Sequence, residues 1–180
     1  MTKKMVERLV VVLVVLLAVS VAVSGQVKGE YWAKIPGALK AHLITTDYSG
    51  SRALSIMCFA LTEQTAKLIW TDIPTVRNMF ESTLGGHCML VYVGPYGANE
   101  YFWPGSFDYT QEHTQYTIGY GDYYAMSDAF GGAEMKADTI AWGIIRIPDG
   151  IDTSKIFKIW YDDESAPVGP IDFDDASKKY

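Results

Sequence analysis

Hydrophobic positions along this chain fall into an unbroken N-terminal run followed by short alternating stretches. The run is LVVVLVVLLAVSVAV, from Leu9 to Val23, and Lys3, Lys4 and Arg8 precede it. Its 15 residues fall short of the roughly 20 that a spanning helix needs and match the upper end, about 15, of the apolar core of a secretory signal. Ala22, Ser24 and Gly25 offer small residues for cleavage before Gly25 or Gln26. Residues 1–25 therefore read as a signal peptide or an uncleaved N-terminal membrane anchor. Cleavage is the preferred reading, and both readings export the remainder of the chain. No cysteine stands directly after the run, which argues against a lipid-anchored terminus.

Beyond Gly29 the pattern predicts strands. Residues 26–37 read as an extended link or edge segment, and 38–162 as a single domain. LKAHLITT (Leu39–Thr46) ends at the turn signal Asp47-Tyr48-Ser49-Gly50. Ser51 to Trp70 fits either period: Leu54, Met57, Cys58 and Leu61 suit a helix, whereas the Ile, Phe and Thr content suits a strand, to which the first half is assigned. TVRNMFEST (Thr75–Thr83) suits a short helix. HCMLVYVGP (His87–Pro95) is a continuous apolar run bounded by glycines, as in a strand covered on both faces. YFWPGSFDYT, QYTIGY, TIAWGIIRIP and SKIFKIWYD come next, and in the last Phe157, Ile159 and Tyr161 alternate with Ile156, Lys158 and Trp160. Short strands separated by Gly, Pro and Asp clusters predict a mainly β antiparallel sandwich or barrel. Residues 163–180 lose the periodicity and read as an acidic tail with an ordered edge.

One short string suggests a different class. Thr117–Asp122 reads TIGYGD, the carbonyl filter of potassium channels. Such a filter needs a pore helix and flanking spans. The preceding residues carry Pro104, Gly105 and many polar groups, and no second long apolar run occurs after Val23. The string therefore reads as a glycine-punctuated loop or bulged strand, with Gly119 and Gly121 free to take positive φ.

Composition narrows the partners. The chain is 49% hydrophobic and 20% charged, as expected of one folded domain. Without residues 1–25, which hold three basic groups and one acidic group, 12 basic residues face 20 acidic ones, a balance of about −8. That charge repels phosphate backbones and supplies no polybasic membrane patch, so nucleic acid is set aside and membrane contact is confined to the N-terminal segment.

Three segments in order, HCMLVYVGPYGAN, FWPGSFDYT and AEMKADTIAWGIIRIPDGIDTSKIFKIWYDD, are similar to the small immunoglobulin-like extracytoplasmic domains of bacteria and archaea, a family of unknown function. Ile147-Pro148-Asp149-Gly150 and Ile156–Tyr161 stand where that family has its turn and final strand. The resemblance spans Gly85 to Asp162 and implies an immunoglobulin-like β-sandwich on the outer side of a membrane. It brings no catalytic motif to any residue here.

Chemistry-bearing residues are few. Cys58 and Cys88, placed in an exported chain, are expected to form a disulfide. The sharper alternative is an exported thiol enzyme using Cys88 with His87. His42, His87 and His113 lack zinc spacing relative to each other and to the cysteines. Calcium is the one cofactor considered, through Asp162, Asp163 and Glu164 or Asp172, Asp174 and Asp175. Ser106 has no nucleophile elbow, and the carboxylate pairs Asp108/Glu112 and Asp122/Asp128 are of a kind common in acidic domains. No catalytic, cofactor or metal residue is assigned, and the chain is read as a non-enzyme.

Aromatic density is the remaining signal. Nine aromatic side chains lie between Tyr101 and Tyr124, and Tyr101, Trp103, Tyr109, Tyr116, Tyr120, Tyr123 and Tyr124 form the candidate contact surface. Cross-strand packing is the structural alternative for each. The expected function is thus exported, non-catalytic binding of a protein or glycan at the cell surface. A self-assembling filament or surface-layer subunit, adding Gln26–Pro36 to a neighbour as a strand, is the alternative.

Overall fold

A computed structural model of the chain describes residues 35–37, 43–45, 53–70, 84–95, 98–137 and 139–173. The N-terminal signal or anchor, most of the 26–37 link, His42, Thr75–Thr83 and Asp174 and Asp175 lie outside the described residues. All the described residues belong to one compact unit, Ile35–Tyr180. Among them no helix is long and apolar enough to cross a membrane.

The protein is mainly β, and among the described residues every strand pair is antiparallel. In chain order come β1 (Leu43–Thr45), β2 (Leu54–Ala60), helix α1 (Glu63–Ile69), β3 (Cys88–Pro95), β4 (Glu100–Phe102), β5 (Phe107–Gln111), β6 (Thr114–Thr117), β7 (Tyr123–Ala125), β8 (Ala133–Met135), β9 (Ala141–Arg146), β10 (Phe157–Tyr161) and β11 (Glu164–Val168). One sheet has the order β1-β2-β3-β9-β7, a second β11-β10-β5-β6, and β4 pairs with β8 in a two-stranded ribbon.

Residue type decides which face each sheet buries. In the second sheet alternation is clean: Phe157, Ile159 and Tyr161 of β10 and Phe107 and Tyr109 of β5 are buried, whereas Lys158 is exposed and Asp108, Thr110 and Trp160 are half-buried. The buried set shares one core with Leu54, Ile56 and Cys58 of β2, Met89, Val91 and Val93 of β3, and Ala141 and Ile145 of β9. Phe102 and Met135 bring the ribbon into the same core.

The first sheet is covered on both sides. Every residue of β2 and β3 is buried, as the unbroken apolar runs predict. On the face away from the shared core, Phe59 meets Tyr92 edge-on at 5.9 Å, Tyr92 stacks on Trp142 at 5.8 Å, and Trp142 meets Trp70 at 6.3 Å. Trp70 closes helix α1. This helix starts where Thr62 and Thr65 each accept from the other's backbone N–H and ends at the Trp70 N–H bond to the Ala66 carbonyl. Thr65 is fully buried and donates to the Ala60 carbonyl at 2.8 Å, fixing the helix to the end of β2. The ambiguous stretch from Ser51 to Trp70 is thus a strand followed by a helix.

Several expectations need correction. The sheet continues past Asp162: β11 pairs along β10, Val168 and Ile171 are core residues, and the Ile171 N–H bonds the Thr153 carbonyl at 2.8 Å. Residues up to Phe173 accordingly belong to the domain and not to a tail. Positive φ occurs at Gly85, Gly86 and Gly132, and at Glu112 and Asp162 in the two-residue hairpin loops, but not at Gly119 or Gly121.

In this structure Cys58 and Cys88 are free and buried. Cys58 lies opposite Val91 in the β2–β3 ladder and shares its core-facing side. Cys88 is three residues from Val91 and so projects from the opposite face of the sheet.

Candidate functional site

The seven candidate aromatic residues do not form one surface. Tyr109 is fully buried in the core and is withdrawn as a contact residue. Tyr116 packs against the core and donates its hydroxyl to the Gly150 carbonyl at 3.0 Å. Tyr124 lies opposite Ile144, on the face of the first sheet away from Tyr123. Tyr101 is 52% exposed and lies on the ribbon opposite Glu134.

Trp103, Tyr120 and Tyr123 converge. Trp103 meets Tyr120 at 5.5 Å with their planes at 69°, and Tyr123 at 6.1 Å and 74°. Tyr120 and Tyr123 are 6.4 Å apart at 40°. Separations and angles of this kind suit the ring quadrupoles better than face-to-face stacking does. Tyr120 is 80% exposed and the other two rings are half-buried.

Trp103 is held from below. A Cβ on Gly105 would lie 2.4 Å from the Trp103 Nε1, and one on Gly132 would lie 2.3 Å from its Cε3, so the indole rests where these two residues have no side chain. Gly132 also has φ near +103°, a conformation other residues avoid. The Trp103 backbone N–H donates to the Tyr161 hydroxyl at 3.1 Å, tying the ring's base to β10. TIGYGD places the tyrosines. Ile118 is buried, Asp122 Oδ2 accepts from the Gly119 N–H at 2.9 Å, and the Asp122 N–H returns to the Gly119 carbonyl at 3.0 Å. Tyr120 stands at the tip of that turn. Arg146 secures its far end, its backbone N–H donating to the Asp122 carbonyl at 2.7 Å and its guanidinium lying 3.7 Å from Asp122 Oδ1.

Polar ends separate framework aromatics from the cluster. The Tyr161 hydroxyl accepts from Trp103, the Tyr116 hydroxyl bonds Gly150, and the Trp160 indole N–H donates to Thr110 at 2.9 Å. Among the described residues, the Trp103 indole N–H and the Tyr120 and Tyr123 hydroxyls make no hydrogen bond. Burial, and next the charge of Tyr120, raise the Tyr123 phenol above its usual range, so it remains a donor at neutral pH. Three donors thus sit around three rings, without acceptors among the described residues.

The other candidates are engaged within the fold. Asp108 accepts from Gln115 at 3.0 Å, and Glu112 lies 3.8 Å from Lys155. His87 stacks on Phe173 at 4.3 Å, while the Cys88 thiol faces the Gly86 carbonyl at 3.7 Å. Asp162 and Asp163 form a hairpin loop leading into Glu164, and among the described residues no three His, Cys, Asp or Glu side chains converge as metal ligands. His113 is exposed in the β5–β6 loop.

Burial raises the Cys88 thiol from 9.0 to about 12, against a smaller opposing pull from Arg146, and burial raises Cys58 further. A buried neutral thiol stabilises the fold fully below the unfolded pKa, and this contribution is lost as pH rises towards the folded one. Stability should therefore fall between pH 9.0 and about 12, and a Cys88→Ala variant should show a shallower fall in urea titrations. At pH 8 the native chain should leave a thiol reagent unreacted, and the unfolded chain should expose two thiols. Absence of free thiols on unfolding would restore the disulfide.

Comparison with protein-family models, curated proteins and solved structures gives no match for this chain.

Proposed function

We propose that this protein is an exported, non-catalytic binding domain that contacts a cell-surface partner through Trp103, Tyr120 and Tyr123. The single observation that carries the reading is the cluster itself: three amphipathic rings, one 80% exposed, whose donors have no partner among the described residues. Tyr and Trp offer large contact area with few rotatable bonds, which keeps the entropic cost of binding low. Export is supported by the basic N-terminus and the Leu9–Val23 run. In this reading the two sheets form an immunoglobulin-like sandwich elaborated by helix α1, which covers a face that a two-layer sandwich leaves to solvent.

The test uses the full chain and cell-envelope fragments of its source. A Tyr120→Ala, Tyr123→Ala double variant should bind at least about tenfold more weakly, as expected when central aromatic contacts are removed. A Lys158→Ala variant on the far side of the second sheet should bind as before. Equal binding by wild type and the double variant, with unchanged melting temperatures, would remove the surface assignment.

A second reading, self-association by strand addition, is favoured by β6. This edge strand, Thr114–Thr117, is largely exposed and contains neither charge nor proline, so little on it blocks pairing with another strand. Introducing Gln115→Lys should leave the size-exclusion profile unchanged if the chain is a monomer and should dissociate an assembly built on that edge.

A further inference from the structure

Resting on the self-association read from β6, we infer that two copies of this chain pair through that strand about a two-fold axis at Tyr116, joining their second sheets into one. Hydrogen-bond phase carries the first step. The two-residue loop Glu112-His113 joins β5 to β6, so the flanking pair Gln111 and Thr114 exchange both backbone bonds, and every second pair beyond them does the same. Tyr109 with Tyr116 and Phe107 with Ile118 keep this phase, and the Ile118 N–H donates to the Phe107 carbonyl at 3.3 Å. Gln115 and Thr117 fall between these pairs, so their N–H and C=O groups point away from β5. Their side chains are exposed, and among the described residues nothing bonds those outward groups.

Self-complementarity names the partner. Setting Gln115 against Thr117 of the second copy, with the strands antiparallel, gives every outward donor and acceptor a complement and places Tyr116 opposite its own equivalent on the axis. A shift by two residues sets Gln115 against Gln115, or Thr117 against Thr117, and bonds only half of these groups. Gly119 cannot make up the loss, because its N–H and carbonyl already bond Asp122. The strand itself is uncharged, so its copy meets no like charge along the pairing. The carboxylates beside it are engaged, Asp108 with Gln115 at 3.0 Å and Glu112 with Lys155 at 3.8 Å.

The opposite edge of the same sheet makes the pairing a closed one. A two-residue loop also joins β10 to β11, so by the same phase Ser165 and Pro167 are the outward positions of β11. Pro167 has no N–H, which leaves that edge one donor short against any strand. Pairing β6 with β11 of a further copy would propagate a fibre, whereas β6 on β6 stops at two chains. Two four-residue strands bury less than the roughly 1,200 Å² of a standard interface, so the dimer is weak and forms as concentration rises.

Cysteine cross-linking of the full chain reads the register. Gln115→Cys and Thr117→Cys variants are oxidised separately and as a mixture; Cys58 and Cys88 are buried, so the new thiols are the ones that react. The mixture should give a cross-linked dimer and each variant alone should not, because directly opposed residues stand about 5.5 Å apart at Cα, within disulfide reach, and identical positions do not. Thr117→Pro removes an outward N–H and adds no charge, and with an unchanged melting temperature it should weaken dimerisation in sedimentation about tenfold. Equal cross-linking by one variant alone overturns the register. Species larger than a dimer that Gln115→Lys disperses overturn the closed pair. In both cases self-association through β6 stands. A monomer at every concentration, with no cross-link, overturns the inference and that reading together.

Discussion

Replacing Phe102 by alanine is expected to destabilise the protein by about 3–5 kcal/mol, the usual range for truncating a buried phenylalanine. Its ring is fully buried and touches three others: Phe130 at 5.0 Å, Tyr161 at 5.5 Å and Phe107 at 6.2 Å. Those partners come from β5, β10 and the turn after β7, so the ring joins the β4–β8 ribbon to the rest of the core. Small relaxations cannot refill a hole bordered by rigid rings, which places the cost in the upper part of the range. Domains of this size have about 5–15 kcal/mol in total, so the variant should lose a large share of its stability. Urea unfolding of the full chain measures this. Tyr101→Ala, one residue away but 52% exposed, is the control and should change stability far less. A Phe102→Ala loss below about 1 kcal/mol would contradict the packing described.

Gly143→Ala should also destabilise, by about 1–3 kcal/mol, although glycine-to-alanine changes in compatible backbone usually stabilise by about 0.4–1 kcal/mol. Packing reverses the sign. A Cβ at this position in β9 would lie 2.2 Å from Phe130 Cδ1 and 2.4 Å from its Cε1, and the Phe130 ring is fully buried. Either the ring leaves its rotamer or the strand moves. Shortening the ring should therefore relieve the clash, and Gly143→Ala with Phe130→Leu should be more stable than the sum of the two single changes by about 0.5–3 kcal/mol. Additivity within error, or a stabilised single variant, would count against the close approach.

The parts of the fold legible in the sequence are those where one physical demand dominates. HCMLVYVGP is apolar at nearly every position because β3 is covered on both faces. FKIWY alternates because β10 has a single buried face. Ser51–Trp70 resists assignment because it contains both cases, a doubly buried strand and then a helix whose start depends on two threonines, a weaker signature than one with an acidic partner. The disulfide expectation meets a related difficulty. Distance along the chain says nothing of parity, and parity puts Cys58 and Cys88 on opposite sides of the same sheet.

The candidate site was legible as a region and not as a surface. Aromatic density marks Tyr101–Tyr124, but whether a ring fills the core or faces outward depends on strand phase and on what its polar end meets. Tyr109 and Tyr116 are as prominent in the sequence as Tyr120, yet one is core and the other is held by Gly150. Gly105 and Gly132 were the missed signal. Their positions near FWPG and FGG matter because the indole of Trp103 occupies the space above them.

The bond from the Trp103 N–H to the Tyr161 hydroxyl also sets an order of events during synthesis. Trp103 and both glycines that seat its indole precede Tyr161 in the chain, so its anchoring hydroxyl is the last of these parts to be made. The ring cluster reaches its final form only when the last hairpin, β10–β11, docks. A nascent chain stalled before Tyr161 would carry the aromatic residues but lack the hydroxyl that anchors Trp103, so the finished surface requires synthesis to pass β10.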